Sequence, residues 1–366
     1  MKPYGGLIRL LDHSDIRFRD YAIHSIYAIL LIGARQSKAI MIHPHAQLIN
    51  QYIGCYKIYE LFQRENRQIT KDLSAVSIGL IYQAQEIPNQ TMKQDIIAHL
   101  KSMLSTQNPY YREVAYQTLQ GLSKNADNFK EIMRDVDFDD IADDMNILQV
   151  GTEVQINKIN SLQIKHCLLL SVILERRKAT EMRQNIIDSG IVNALLRILD
   201  AQPIDSIASE HVHALLNMIV YSNDLLMKQI YEMNALPILL KFVNHTELSI
   251  LQDSTYSLIQ MLLIGARSDN VNKLHQYFTS LQENGSIAQL IEMFKTSQNE
   301  FVKETSAVCL GILFKDQKIP NASLREKIVK TLKKIAVDDS IPMRSEAAEY
   351  ALENLIIENN GKFNLK

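Results

Sequence analysis

Apolar residues recur along most of the chain at steps of three and four positions, the spacing of one face of an α-helix. The first clear stripe consists of Ile250, Leu251, Ser254, Leu258, Met261 and Leu262, and a second consists of Leu324, Ile328, Leu332 and Ile335. No segment sustains the two-residue alternation that is typical of a half-buried strand. We therefore predict an all-α fold.

The predicted helices follow one another in a recurring order. A glycine or small residue opens an apolar helix, a short polar turn follows, and a second, longer apolar helix comes next. Helices of this first kind begin at Gly5, Gly190, Ala235 and Gly285. The helices end at Asn-Pro, Ile-Pro, Asp-Asp or Gly, which are ordinary stop signals. This order predicts helical units that stack along the chain.

The chain also repeats itself at long range. Residues 6–104 lie over residues 238–336 without a gap when the sequence is shifted by 232 positions. Leu-Leu-Ile-Gly-Ala-Arg occurs at both 30–35 and 262–267, and Ile-Pro-Asn at both 87–89 and 319–321. Self-similarity at a fixed spacing is the signature of stacked repeats. We predict an internal duplication at this 232-residue offset.

Two segments resemble the last helix of an armadillo repeat: His213–Met218, which reads HALLNM, and Tyr350–Leu355, which reads YALENL. Corresponding positions elsewhere begin at His24, Val76, Gln117, His166, Tyr256 and Val308, with successive gaps of 41 to 52 residues. The resemblance to armadillo proteins implies a right-handed α-α superhelix of about eight repeats. It would form a single domain over residues 1–366, with HEAT-like packing of some repeats left open.

Three stretches depart from this regularity. Residues 126–160 are predicted to be irregular and acidic, and the aspartate-rich run 134–144 to be either a loop or a short helix. Residues 359–366 are predicted to be a disordered tail. The helix expected at 223–236 has no counterpart before Lys2. We interpret this start as truncated or as docking on another chain, with a genuine, frayed end as the alternative.

The resemblance also implies a peptide-binding groove. In armadillo proteins the last helix of each repeat presents an aromatic residue and, four positions later, an asparagine, and this spacing puts both on one helix face. The amide hydrogen-bonds the backbone of an extended peptide while the ring packs against its side chains. The pairs carried over here are His213/Asn217, Tyr256/Gln260 and Tyr350/Asn354. The other repeats lack such pairs, with His24/Ala28, Val76/Leu80, Gln117/Gly121, His166/Leu170 and Val308/Ile312, and the chain has no tryptophan.

These features favour a non-catalytic scaffold or adaptor that binds a protein or an extended peptide in its concave groove. A structural subunit of a larger cytoskeletal or ciliary assembly is the alternative. An importin-α-like cargo adaptor is less favoured, because such proteins need aromatic–asparagine pairs in several successive repeats. We expect His24 and His166 to belong to the core of their repeats.

The remaining chemistry adds little. The formal charge of −2 gives no reason to expect nucleic-acid binding. Three separated cysteines indicate a reducing compartment. The apolar stretch 21–34 is too short for a membrane span. We therefore expect a cytoplasmic protein, with nuclear and ciliary locations left open.

No motif indicates an enzyme or a cofactor. The pairs His43/His45 and His211/His213 lack further metal ligands, and Asp135, Asp137 and Asp139 lack the glycine and glutamate of a calcium loop. Residues 325–334 read as the charged outer face of a helix, with contact to an acidic peptide or membrane as the lesser alternative.

Overall fold

All regular structure in the described part of the chain is helical. The structure, a computed structural model, describes residues 3–36, 42–175, 177–267, 275–315, 317–338 and 342–355. The predicted all-α fold is confirmed. The chain divides into two compact units, Met1–Arg177 and Lys178–Lys366. That residues 1–366 form a single domain stays a prediction, and the predicted tail at 359–366 lies outside the described residues.

Unit 1 (Met1–Arg177) contains ten helices within its described residues. They are α1 (Tyr4–Leu10), α2 (Ile16–Gln36), α3 (Ala46–Asn50), α4 (Gly54–Arg64), α5 (Gln68–Ile81), α6 (Gln90–Met103), α7 (Pro109–Leu122), α8 (Ala126–Met133), α9 (Phe138–Asn146) and α10 (Glu153–Leu174).

Unit 2 (Lys178–Lys366) continues the same succession of helices. It contains α11 (Thr180–Asp188), α12 (Ile191–Ala201), a 3-10 turn at Ile204–Ser206, α13 (Ser209–Ile219), α14 (Asp224–Glu232), α15 (Ala235–Leu240), α16 (Leu248–Ala266), α17 (Phe278–Glu283), α18 (Ser286–Thr296), α19 (Glu300–Leu313), α20 (Ala322–Ala336) and α21 (Pro342–Asn354).

Within each unit, one helix of each repeat packs directly against its equivalent in the next repeat, and we name these the third helices. In unit 1, α2 contacts α5, α5 contacts α7, and α7 contacts α10. In unit 2, α13 contacts α16, α16 contacts α19, and α19 contacts α21. The other helices pair with these rows in the order first, second, third, as in α3–α4–α5 and α11–α12–α13. This is the order of an armadillo-type repeat, and all eight positions that the sequence matched to the last helix lie in third helices.

Helix bounds recur at the spacing seen in the sequence. Adding 232 to the bounds of α4 and α5 gives the bounds of α18 and α19, and α2 and α16 begin at the corresponding residues Ile16 and Leu248. Asn89 accepts a hydrogen bond from the backbone N–H of Met92, and Asn321 accepts the same bond from that of Leu324. We propose that these matched elements descend from one duplicated block.

The stretch predicted to be irregular, 126–160, is largely helical, so that expectation is wrong. Asp137 begins α9, and its carboxylate accepts hydrogen bonds from the N–H groups of Asp139 and Asp140. Acidic side chains in the first turn also interact favourably with the positive end of the helix dipole. The aspartate run therefore forms a short helix, the second of the two forms considered for it.

Four helices, α4, α12, α15 and α18, each begin directly after a residue in the left-handed conformation. Gly190 before α12 and Gly285 before α18 have φ values of 86° and 81°. Asn234 before α15 and Ile53 before α4 take the same conformation, with φ of 66° and 55°. A side chain is strained in this region, so glycine is the favoured residue there. At Gly190 and Gly285 this conformation explains why a glycine precedes the apolar helix. Ile53 takes the same conformation with a β-branched side chain, so its backbone is strained.

Two further glycines let the third helices approach each other. A β-carbon on Gly79 of α5 would lie 2.2 Å from Cγ2 of Thr118 on α7. At the matching position in α19, a β-carbon on Gly311 would lie 2.7 Å from Cβ of Ala351 on α21. Both distances are far inside van der Waals contact, so a larger residue forces the helices apart.

The variant Gly79→Ala should lower the free energy of unfolding by roughly 1–3 kcal/mol, the usual cost of overpacking. Alanine is the better helix former by about 1 kcal/mol, so propensity alone predicts the opposite sign. Gly6→Ala is the matched control, because a β-carbon there meets nothing within 4 Å, and it should leave stability unchanged or raise it. Urea denaturation followed by circular dichroism measures both. Stability equal to the wild type in Gly79→Ala would contradict this packing.

In each unit a buried histidine links a long third helix to the short helix that follows it, α2 to α3 and α16 to α17. His43 Nε2 lies 2.8 Å from the carbonyl oxygen of Leu30, and its Nδ1 accepts from the N–H of His45 at 3.1 Å. His275 makes the same contacts with Leu262 at 2.8 Å and Tyr277 at 3.1 Å. One nitrogen must donate and the other accept, so each ring is held neutral. The close pair His43/His45 therefore has a structural role at the start of α3.

Unit 2 should lose stability in acid because two of its histidines, His275 and His211, are buried. Burial lowers the pKa of His275 from 6.5 to about 4, and burial also lowers the pKa of His211 to about 4. Above the unfolded pKa their stabilisation is fully present. As the pH falls from 6.5 towards 4, the unfolded chain binds protons that the folded chain does not, so the free energy of unfolding falls by about 1.4 kcal/mol per pH unit for each histidine.

Urea denaturation of the wild type and of His275→Gln, at several pH values between neutral and pH 4, measures this effect. The free energy of unfolding of the variant should fall less steeply with falling pH than that of the wild type, by about 1.4 kcal/mol per pH unit. Parallel profiles for the two proteins would show that His275 does not titrate as its burial requires.

Candidate binding face

The six groove residues predicted from the sequence all lie on third helices of unit 2. His213 and Asn217 are on α13, Tyr256 and Gln260 on α16, and Tyr350 and Asn354 on α21, and every one is half-buried. Because these helices belong to one row, with α19 between the last two, we infer that the six side chains lie on one surface of that row. We call this surface the amide face.

The pair on α13 is tied to its own helix and to the next one. His213 Nδ1 lies 2.9 Å from a carboxylate oxygen of Asp253 on α16. Asn217 donates from Nδ2 to the carbonyl oxygen of His213 at 3.1 Å. These contacts fix the rotamers of both side chains, which lowers the entropy cost of binding a ligand.

Side chains of α16 and α21 meet across the face. Gln260 Nε2 lies 2.9 Å from Sδ of Met343. The hydroxyl of Tyr350 donates to the carbonyl oxygen of Ala266 at 3.1 Å, and Lys315 Nζ donates to the same oxygen at 2.6 Å. Tyr350 therefore supports the C-terminal end of α16, a role that the sequence did not indicate. Asn354 donates to the carbonyl oxygen of Tyr350 at 2.8 Å, as Asn217 does to His213.

Each of these amides keeps an acceptor. Within the described residues no group donates to the side-chain carbonyl oxygens of Asn217, Gln260 and Asn354, and all three are partly exposed to solvent. A row of fixed amide acceptors suits the N–H groups of an extended backbone, and the ring of Tyr256 adds an apolar surface beside them. The arrangement has the chemistry to hold an extended peptide.

The corresponding positions in unit 1 have other roles. His166 is buried and lies 2.8 Å from a carboxylate oxygen of Asp144, so its predicted core location is confirmed. His24 is exposed, with Nδ1 against the carbonyl oxygen of Asp20, so its predicted core location is wrong.

Unit 1 has a cleft of about 580 Å³ along its own row of third helices. Its lining includes Leu80, Gln83, Gln117, Gln120 and Gly121. In the armadillo-like register Gly121 corresponds to Asn354, at an offset of 233 residues, one more than the offset of the earlier match. A β-carbon on Gly121 would come within 3.3 Å of Cγ of Gln83. The missing side chain leaves space, so this position contributes a cavity in unit 1 and an amide in unit 2.

An arginine closes one side of this cleft. Arg177 donates to the carbonyl oxygens of Ser123 at 2.5 Å and Val172 at 3.0 Å, and its guanidinium lies 4.0 Å from the ring centroid of Phe129. Glu175 accepts a hydrogen bond from Gln120 beside it. This role of Arg177 was not predicted from the sequence. The spacing of Gln117, Gln120 and Gly121, which puts all three on one face of α7, was the sequence feature that could have indicated the cleft.

The other sequence candidates have structural roles. Cys55, Cys167 and Cys309 are free and buried, and burial raises the pKa of the Cys309 thiol to about 12. His211 is enclosed in α13, on the side away from His213, and is fully buried. Among the described residues no three histidine, cysteine or acidic side chains converge as metal ligands.

No helix in the described part of the chain combines the length and the apolar character needed to cross a membrane.

No protein-family model matches the chain, and no curated protein is detectably similar to it. Similar solved structures include a designed armadillo repeat protein in complex with the peptide (KR)4, at 15% identity over 70% of this chain and 98% of that one, with a TM-score of 0.43. A computationally designed armadillo repeat protein for modular peptide recognition is 15% identical over 70% and 99% of the two chains, also with a TM-score of 0.43. An engineered protein from a structural genomics consortium is 13% identical over 97% and 99%, with a TM-score of 0.43. At these values the likenesses say nothing of function, and the armadillo-type order rests on the helices described above.

A buried arginine holds the end of the helix that carries Asn217. Arg183 has no solvent exposure, and it donates to the carbonyl oxygens of Asn217 at 3.0 Å and Val220 at 2.9 Å. Burial lowers its pKa to about 10, so it remains charged at neutral pH. A cation at a helix C-terminus satisfies carbonyls that have no partner within the helix and interacts favourably with the dipole.

Arg183→Lys should lower the free energy of unfolding by roughly 1–3 kcal/mol, because one ammonium cannot reproduce a planar fork that reaches two carbonyls. Arg197→Lys, an exposed position in the same unit, is the matched control and should be nearly neutral. Chemical denaturation compares the two. Equal stability of both variants would mean that Arg183 does not clamp α13.

Proposed function

We propose that this chain is a non-catalytic scaffold that binds an extended segment of a partner protein along the amide face of unit 2. The observation that carries the proposal is the set of side-chain carbonyl oxygens of Asn217, Gln260 and Asn354, which are fixed by their own N–H bonds and have no donor among the described residues. Unused acceptors held in one orientation favour a ligand that supplies N–H groups at regular spacing.

Binding would proceed by several weak contacts. Each amide would accept from one backbone N–H, worth about 0.5–1.5 kcal/mol net, and Tyr256 would cover an apolar side chain of the segment. Because the side chains are already held, little conformational entropy is lost on binding. The cleft of unit 1, lined by Gln83, Gln117 and Gln120, would take part of the same or another partner.

A second candidate function, a subunit of a larger assembly, is favoured by a different surface. Leu148, Val150 and Val154 are 63%, 68% and 78% exposed. The segment that carries them is held in place by Gln163, which is fully buried and donates to the carbonyl oxygens of Met145 at 3.2 Å and Ile147 at 3.0 Å. Ordered aliphatic side chains that remain in water favour burial against another protein.

The experiment compares proteins captured from native cell extract by the wild type and by Asn217→Ala/Tyr256→Ala/Gln260→Ala. If the amide face is the binding site, the triple variant should lose partners by about tenfold or more, the effect of removing a few such contacts. Circular dichroism and chemical denaturation should show the variant folded.

The matched control is Gln184→Ala/Asn193→Ala/Gln289→Ala, which removes amides from α11, α12 and α18 and should keep the partners. Retention by the amide-face variant, together with loss in Leu148→Ser/Val150→Ser, would replace the groove function with the assembly function. Strong, salt-sensitive capture of lysine- and arginine-rich peptides would instead support a cargo adaptor.

A further inference from the structure

A second cavity, of about 570 Å³, lies in unit 2 where α18, α19 and α20 meet. Four lysines line it: Lys295 at the end of α18, Lys303 on α19, and Lys327 and Lys330 one turn apart on α20. We call this cavity the lysine pocket. Phe294 and Leu324 supply apolar walls, and Asn321 and Ser323 lie at the start of α20. The pocket is separate from the amide face, and nothing argued about it rests on the proposed function.

Among the described residues, none of the four lysines of the pocket has an acidic partner within 4.0 Å. Glu300 is the acidic residue in the lining, and it accepts from Lys334 at 3.0 Å instead. Like charges brought to one concave site repel each other, and the concavity strengthens their joint field. Such a site attracts an anion.

The corresponding helices of unit 1, α4, α5 and α6, show that their packing does not require this charge. The positions 232 residues earlier are occupied by Gln63, Lys71, Asp95 and Ala98. There Asp95 accepts a hydrogen bond from the hydroxyl of Tyr59 at 2.6 Å, and Lys71 lies 5.5 Å from the ring centroid of Phe62. The same three helices thus pack with one lysine in unit 1 and with four in unit 2.

The kind of cation indicates the kind of anion. Lysine acts as a compact point charge that suits phosphate, whereas arginine is preferred where a carboxylate is bound through two parallel hydrogen bonds. The start of α20 adds the positive end of a helix dipole at the same pocket. Four charges on three helices match several phosphate groups better than one.

We propose that the lysine pocket binds a compact ligand with two or more phosphate groups, either a soluble polyphosphate compound or a phosphorylated lipid headgroup. The phosphates would lie between Lys303 on one side and Lys327 and Lys330 on the other, with Ser323 as an additional donor.

Isothermal titration of the full chain with inorganic tripolyphosphate tests the proposal. Binding should be measurable and should weaken as salt is added, because exposed charges are screened. Lys327→Gln/Lys330→Gln should weaken it by roughly tenfold or more, the usual effect of losing charged hydrogen bonds. The matched control, Lys158→Gln/Lys178→Gln, makes the same change of charge at exposed lysines of other helices and loops and should bind as the wild type does.

Flotation with phosphatidylcholine vesicles, with and without phosphatidylinositol bisphosphate, distinguishes the two sources. Binding to the phosphorylated vesicles that is lost in Lys327→Gln/Lys330→Gln assigns a lipid headgroup, and binding to tripolyphosphate alone assigns a soluble ligand. Equal affinity of the pocket variant and the control, or tighter binding of a polyglutamate peptide than of tripolyphosphate, would overturn the proposal.

Discussion

The close approach of neighbouring third helices is the constraint on which the rest of each unit depends. Gly79 and Gly311 provide it by having no side chain where the next helix passes. Small polar residues join them in the same rows, and their hydroxyls donate back to their own helix, as Ser74 does to the carbonyl oxygen of Thr70 at 2.7 Å and Ser306 to that of Val302 at 2.8 Å. A buried hydroxyl that is satisfied within its helix costs little. The rows are therefore tight without being purely apolar.

Close packing leaves the ends of the third helices to be satisfied, and cations from neighbouring elements do this. Arg177 reaches the end of α10, Arg183 the end of α13, and Lys315 the end of α16. Each places a positive charge on carbonyls that have no partner within the helix, at the negative end of the dipole. The same contacts fix the ends of the surfaces on which Asn217 and the cleft of unit 1 lie, so stability and binding geometry share residues.

The two copies of the matched block show how one packing scheme supports different surfaces. Buried positions change little, as with Gly79 and Gly311 or His43 and His275, because any change there meets a neighbour. Other positions differ between the two units: Asp95 corresponds to Lys327 and, at an offset of 233 residues, Gly121 corresponds to Asn354. A cleft in one unit and an amide face with a lysine pocket in the other follow from these exchanges, while α4 and α5 keep the same bounds as α18 and α19.

The sequence by itself determined the helices, their order and the positions of the third helices. Helical periodicity and the opening glycines are local signals, and they recur in several repeats. The sequence also placed the amide pairs on helices of one row. It failed at 126–160, most of which lies in α8, α9 and α10, and at His24, since burial depends on neighbours. Only the tertiary structure decided that Tyr350 supports α16, that Arg177 closes a cleft, and that four lysines share one pocket. Those facts join residues that lie on different helices, and periodicity along the chain carries no information about distances between them.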